Sequence, residues 1–353
     1  MKKNLLFAAL AVVAMVSCTK NEVSQSTVTN EITFATPVLA HHTKSMEITD
    51  ATYPTTASFN VYAWYNSGNS FVASNASAYM TDVEVVYNDA DFDASDGSGA
   101  WVPSLKYYWP KQGVLSFDAY SPNGLAASTV TATAADGIKV VEHIVSSNLA
   151  SQQDFLYATR ALNKTTSYSD GNSTYDGVDI PFNHALAVVK FTAKTKANYS
   201  GTTTVKIKDI KIQSIKNQGT FNQNESTSSP AWSDQDGSAE YVALTSANFD
   251  SSVELRETAI AAGSTVIVLP QDFSASTQKL YIEYYLKTNA LDSKDILQKA
   301  ELDFYNATAA ADDNKWAMGK RYTYNIVIGL DEIYFAPSVA QWDDVTTVDI
   351  NVN

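Results

Sequence analysis

The side chains that could do chemistry in this chain are few and scattered. Four histidines occur, His41, His42, His143 and His184. His41 and His42 are adjacent, so on a strand they point to opposite faces and cannot hold one ion together. No HExxH or comparable ligand pair is present. His184 sits in Pro181-Phe182-Asn183-His184-Ala185-Leu186, ahead of an apolar strand, and reads as a structural histidine. Asp89, Asp91, Asp93 and Asp96 have the spacing of a calcium loop. Ala94 stands where such a loop needs Gly, and Ala100 where it needs a chelating Glu, so the segment reads as a solvated acidic loop. There is no GxSxG, P-loop or GxGxxG pattern. The 38 acidic residues could pair for glycoside hydrolysis, but nothing concentrates them. Trp64, Trp101, Trp109, Trp232, Trp316 and Trp342 could stack on sugar rings, although aromatics at strand ends more often pack a core or an interface. No catalytic residue, metal site or cofactor is expected.

Charge narrows the partners. The net charge of −14 opposes nucleic acid, which needs a basic face, and a polybasic attachment to membranes. Charged residues make up 18%, with Ser, Thr, Asn and 20 Tyr in their place, and the apolar fraction of 45% is sufficient for a folded core. At roughly 100–200 residues per domain, 353 residues suggest two domains.

The N-terminus bears on location. Lys2 and Lys3 precede an apolar run from Leu5 to Val16, the layout of a signal peptide over residues 1–17. The run is short of the roughly 20 apolar residues that span a bilayer. Cys18, the only cysteine, follows it directly and has no partner for an internal disulfide. Met15-Val16-Ser17-Cys18 resembles a bacterial lipobox, whose thiol takes a diacylglycerol, with Met15 in place of the usual Leu. Several acyl chains anchor stably, because each buried CH₂ contributes about 0.8 kcal/mol. Residues 18–30 are polar and aperiodic and read as a tether.

These residues must be positioned by strands. The dominant period is two. It runs through Ile32 and Phe34; Phe59, Val61, Ala63 and Tyr65; Val83, Val85 and Tyr87; Leu280, Ile282, Tyr284 and Leu286; and Tyr322, Tyr324, Ile326 and Ile328. Between Val205 and Ile215 the alternation changes parity, which places a bulge at Asp209. Only the Ala-rich stretch from Tyr305 to Asp312 suits a short helix. The pattern predicts an all-β protein of antiparallel β-sandwich type. Residues 161–178 are nearly all turn and linker chemistry, which divides the chain into sandwich domains over 31–178 and 179–353.

Several segments stand out in order. They are Lys106-Tyr107-Tyr108-Trp109-Pro110, Leu115 to Pro122, Asp154 to Ala158 and Pro181 to Ala187 with Val188-Val189-Lys190-Phe191. Val266 to Phe273, Trp316 to Tyr324, and Ile333 to Val339 with Trp342 complete the set. Behind a lipoprotein signal, this set resembles the fimbrillin family of Bacteroidetes, subunits of type V pili. The resemblance covers roughly residues 30–345. It implies two tandem transthyretin-like β-sandwich domains and export as an outer-membrane lipoprotein. In shaft-forming members a trypsin-like protease then removes the N-terminal strand, and a strand from the next subunit fills the groove left behind.

A sandwich lacking one strand exposes unpaired backbone groups and an apolar slot, both of which favour strand addition from outside. Residues 31–36, EITFAT, are the candidate removable strand. Lys44-Ser45 is the candidate cleavage site, since Lys44 is the only basic residue between Lys20 and Lys106. Processing in the family usually follows Arg, and the first Arg here is Arg160. Val348, Ile350 and Val352 alternate with Asp349, Asn351 and Asn353, so they could plug a neighbour's groove or form an ordinary last strand of their own domain. The expected partners are other fimbrial subunits by β-strand addition, outer-membrane lipid through Cys18, a processing protease, and a host or bacterial surface receptor. Two readings stand: a fimbrial subunit assembled by strand exchange, or a non-polymerising outer-membrane lipoprotein that binds glycans through exposed aromatics.

Overall fold

A computed structural model of the chain describes residues 30–39, 53–89, 100–127, 129–166, 177–199, 201–226, 229–275, 277–290, 293–307, 314–330 and 333–342. Residues rich in Val, Ile, Thr, Tyr and Phe form strands, and the described helical residues are confined to two short 3₁₀ turns, Ala73–Asn75 and Leu149–Ser151. None of the described helices is long and apolar enough to cross a membrane. Residues 308–312 of the stretch expected to suit a short helix lie outside the described residues, as do most of the acidic loop and the His41-His42 pair.

The first strands are β1 (Val38–Leu39), β2 (Ser58–Asn66), β3 (Ser77–Asn88), β4 (Ala100–Pro103) and β5 (Val114–Ser121). Next come β6 (Thr129–Thr133), β7 (Gly137–Ile144), β8 (Leu156–Ala158), β9 (Ala161–Lys164) and β10 (Pro181–His184). Then follow β11 (Ala187–Thr195), β12 (Thr203–Ile215), β13 (Gln218–Asn222), β14 (Ala231–Asp236) and β15 (Ala239–Leu244). After these are β16 (Val253–Leu255), β17 (Ile260–Ala261), β18 (Val266–Val268), β19 (Gln271–Asp272) and β20 (Lys279–Thr288). The last are β21 (Ile296–Asp303), β22 (Lys315–Trp316), β23 (Lys320–Ile328) and β24 (Ile333–Gln341).

One sheet has the order β1-β10-β8-β5-β2-β3-β4, with β9 also paired to β5. Ala161–Lys164 is therefore strand rather than linker: the edge of β5 supplies the partner that local composition did not reveal. Two further sheets run β17-β11-β23-β24 and β15-β12-β20-β21. A fourth, β14-β13-β7-β6, joins a hairpin from residues 129–144 to one from residues 218–236. Most pairs are antiparallel, but β11 runs parallel to β23 and β1 parallel to β10. The expected bulge is present, as a register shift between Ile207 and Asp209 on β12 against β20. It buries Asp209 and leaves Lys208 at 2.7 Å from both Asp209 Oδ2 and Glu283 Oε2, contacts that hold the ammonium well above its usual lysine range.

Buried apolar residues fall into two clusters. One draws only on residues between Ile32 and Phe182 and is rich in aromatics. The other begins at Tyr62 and runs to Ile328. Strand β2 serves both, with Phe59, Val61 and Ala63 in the first and Tyr62 and Trp64 in the second. Both faces of β2 are therefore buried, and its polar residue Asn60 is 4% exposed and donates to Asp82 Oδ1 at 2.9 Å. On β5 the same arrangement buries Asp118 completely. Arg160 meets it through Nε to Oδ1 at 2.9 Å and Nη2 to Oδ2 at 2.8 Å, and Trp64 Nε1 donates to Oδ2 at 2.7 Å. Gln223 ties β13 to this layer, donating to Ala158 O at 2.9 Å and accepting from Ile138 N–H at 2.8 Å. Residues Glu31–Asn353 cluster as one unit, with the β7–β13 pairing as a seam between its halves.

Candidate functional site

The removable-strand idea concerns the segment from Asn30 to Leu39. It crosses from one edge of the first sheet towards the other. Glu31 bridges Tyr108 and Phe34 bridges Trp101, both antiparallel, while Phe34 also bridges Val178 in parallel. Ile32 N–H donates to Tyr107 O at 2.8 Å and Phe34 N–H to Trp101 O at 2.9 Å. On the opposite side Ala35 N–H donates to Val178 O at 3.0 Å and Val178 N–H to Thr33 O at 2.9 Å. Further along, β1 pairs with β10 through Val38–Pro181 and Leu39–Phe182. The segment thus satisfies backbone groups that would otherwise line an open slot.

Its side chains fill the slot as well. Ile32 is 1% exposed and Phe34 2%. The Phe34 ring meets Phe59 at 5.8 Å and Phe117 at 5.6 Å, both edge-to-face. Alternation in EITFAT made the buried face legible, whereas the strands flanking it were not. Outside the slot, Glu31 pairs with Lys106 at 2.8 Å, an exposed contact of small energetic weight.

Gly177 lets the segment pass. Its φ is +83°, and a Cβ there would lie 2.3 Å from the Phe34 carbonyl carbon and 2.4 Å from Ala35 N. Only glycine fits both the left-handed backbone and the close approach. This residue lay within the stretch read from sequence as linker, where a glycine signals a turn rather than a crossing.

The other flank of the cleavage span is held independently. Tyr53 donates its hydroxyl to Ser58 O at 2.6 Å, lies 2.6 Å from Ser121 Oγ, and stacks on Phe182 at 5.7 Å. Burial pushes this phenol up to about 12. Lys44 and Ser45 lie between these two anchors, outside the described residues, as do Cys18, Val348, Ile350 and Val352. Arg160 is no alternative protease site, because its side chain is 4% exposed and held on Asp118. Arg256 is exposed, but far along the chain from the segment.

At the other end of the chain, Trp342 is the last described residue. Its N–H donates to Gly319 O at 3.0 Å, and its ring stacks on His184 at 4.1 Å with 4° between planes. His184 Nδ1 lies 2.6 Å from Asp154 Oδ2. The histidine is structural, as its sequence setting suggested. It holds the Trp342 ring in place.

The tryptophans offer no exposed sugar platform. Trp64, Trp101, Trp109 and Trp316 are buried. Trp232 is half-buried, donates Nε1–H to Ala185 O at 2.7 Å and packs on Phe155 and Phe221.

A family model for fimbrillin-like proteins matches residues 43–342 of this chain. Among solved structures, a fimbrial protein from Bacteroides vulgatus ATCC 8482 superposes with a TM-score of 0.65 at 16% identity, over 88% of this chain and 99% of that one. A candidate cell adhesion protein from Bacteroides uniformis ATCC 8492 matches with a TM-score of 0.48 at 16% identity, over 88% of this chain and 98% of that one. The first likeness shows a shared fold. Comparison with curated proteins gives no match.

Proposed function

This chain belongs to the fimbrillin-like family, and on that premise we propose that it is a structural subunit of a type V fimbria assembled by strand exchange. It carries out no catalysis and needs no cofactor. The supporting observation is the closing segment: Ile32 and Phe34 are buried in a slot whose two walls each bond to its backbone. Its partners in assembly are further copies or related subunits, joined by β-strand addition.

In this reading residues 1–17 direct export and Cys18 carries the lipid that holds the precursor on the outer membrane. A processing protease cuts after Lys44, ahead of Ser45, releasing the segment while Tyr53 keeps the new N-terminus on the core. The vacated slot then accepts Val348, Ile350 and Val352 from the next subunit. The two sandwich domains divide near residues 178 and 179, with the β7–β13 seam holding them together. The assembled fimbrium lies at the cell surface and supports adhesion to a host or bacterial receptor.

The competing reading, a glycan-binding lipoprotein that does not polymerise, loses Trp64, Trp101, Trp109 and Trp316 to the core, while Trp232 and Trp342 are half-buried and packed on Phe221 and His184. Strand exchange is tested by Ile350→Asp. A charge entering an apolar slot without a partner is strongly disfavoured. The variant should remain a folded monomer and lose polymer ladders on non-denaturing gels. Unchanged ladders would refute the donor assignment.

A further inference from the structure

The closing segment sets its charge and its buried residues in a fixed order. Glu31 stands at the rim, where its Oε1 meets Lys106 Nζ at 2.8 Å and accepts from the Tyr108 hydroxyl at 3.5 Å. Ile32 follows in one pocket, Thr33 is 7% exposed, and Phe34 fills a second pocket beside Phe59 and Phe117. Asn30 and Thr36, on either side, are exposed. A strand that takes over the slot meets the same sequence of surroundings: solvent, a cation, an apolar pocket, a neutral buried position and a second apolar pocket.

The candidate donor reads Thr347-Val348-Asp349-Ile350-Asn351-Val352-Asn353. Run in the direction of the closing segment, it keeps the bonds to Tyr107 O, Trp101 O and the Val178 backbone, which are placed for that polarity. Registers that aim apolar residues into the pockets differ by two residues, because one strand face is every second residue. With Val348 at the place of Ile32 and Ile350 at that of Phe34, Asp349 falls at Thr33. That buries a carboxylate, which is costly without a partner, and leaves Val352 at the exposed place of Thr36. With Ile350 at Ile32 and Val352 at Phe34, Asp349 falls at Glu31, beside Lys106, and the neutral Asn351 falls at Thr33. Asp349-Ile350-Asn351-Val352 then repeats the acidic, apolar, neutral, apolar order of Glu31-Ile32-Thr33-Phe34.

Resting on the strand-exchange reading, we propose that the donor seats in this one register, with Lys106 as the specificity residue that receives Asp349 of the incoming subunit. Two of the three candidate plugs, Ile350 and Val352, enter the slot, and Val348 stands at the exposed place of Asn30. Lys106 supplies selectivity more than affinity, because an exposed ion pair stabilises little. Val352 is smaller than Phe34, so the donor underfills the second pocket and the chain's own segment is the tighter occupant. Exchange therefore requires that segment to be cut away first.

The test uses the full-length protein made in a fimbriated cell, with fimbriae collected from it and the wild type as reference. Tyr108 is the bridge partner of Glu31. Tyr108→Cys with Asp349→Cys therefore sets two thiols opposite each other in the proposed register, within the roughly 4.4–6.8 Å Cα separation that a disulfide spans. Tyr108→Cys with Thr347→Cys does so only in the register two residues away. Cys18, the only native cysteine, is acylated and leaves with the segment on this reading, so no other thiol competes. Disulfide-linked ladders on non-reducing gels are expected from the first pair and not from the second. Val352→Phe should slow the dissociation of fimbriae in detergent about tenfold, by refilling the pocket of Phe34. Linked ladders from the Thr347→Cys pair, polymer without links from either pair, or Val352→Phe fimbriae that dissociate at the wild-type rate would overturn the register and leave strand exchange standing. Wild-type protein that forms no fimbriae would overturn both.

Discussion

Stability should fall with acid through one side chain, His143. It lies on β7 at the seam, opposite Gly219 of β13, and is 2% exposed. Its ring sits 5.4 Å from Phe155 and 5.7 Å from Trp232, and neither nitrogen has a hydrogen-bond partner in the protein. Burial without compensation disfavours the imidazolium and pushes the group down to about 4 from an ordinary 6.5. The unfolded chain therefore takes up this proton first. The contribution is fully present above pH 6.5 and is lost as pH falls from there to about 4. Each pH unit of difference is worth 1.36 kcal/mol, so the loss is about 3 kcal/mol in total and about 2 kcal/mol by pH 5. Urea unfolding at pH 7.5, 6.5, 5.5 and 4.5 measures it, with tryptophan fluorescence as the probe. His143→Phe removes the titrating group, and other ionisable groups cancel in the difference between the two proteins. That difference should move in favour of the variant as pH falls. A difference that stays constant with pH would refute the reasoning.

Three further outcomes follow from the packing. Arg160→Ala leaves the Asp118 carboxylate buried without its guanidinium, and should destabilise by about 3–5 kcal/mol in urea unfolding. Asp118→Asn combined with Arg160→Met should recover much of that loss, since no charge remains buried. Gly177→Ala forces a side chain against the Phe34 backbone. Hydrogen exchange should then show the amides of Ile32, Phe34 and Ala35 losing protection while those of β2 and β5 keep theirs. Phe34→Ala should destabilise the closed form by about 3–5 kcal/mol, read as faster limited proteolysis of the N-terminal segment.

Much of the fold was legible because period-two alternation is a local property. The strands around Phe59–Tyr65, Leu280–Leu286 and Tyr322–Ile328 follow it directly, and the parity change at Asp209 marked a true register shift. Partners are not local. Nothing near Asp118 in the sequence signals that Trp64, Arg160 and Gln223 close over it and bury it completely. The parallel pairing of β11 with β23 joins strands far apart in the chain and leaves no trace in composition. Ala161–Lys164 looked like linker because a short edge strand takes its order from its neighbour rather than its own propensity. At the candidate site, the buried face of EITFAT was readable from Ile32 and Phe34. The role of Gly177 was not, because a glycine that makes room for another segment looks like any turn glycine until that segment is in place.

The central claim is that residues 31–39 are a removable closing strand. Mass spectrometry of the mature N-terminus, on protein from native outer membranes and shed fimbriae, tests it most directly. The account predicts that fimbrial material begins at Ser45 and lacks the lipid, with acylated Cys18 confined to the membrane-bound precursor. Polymerised protein that still begins at acylated Cys18 would contradict it.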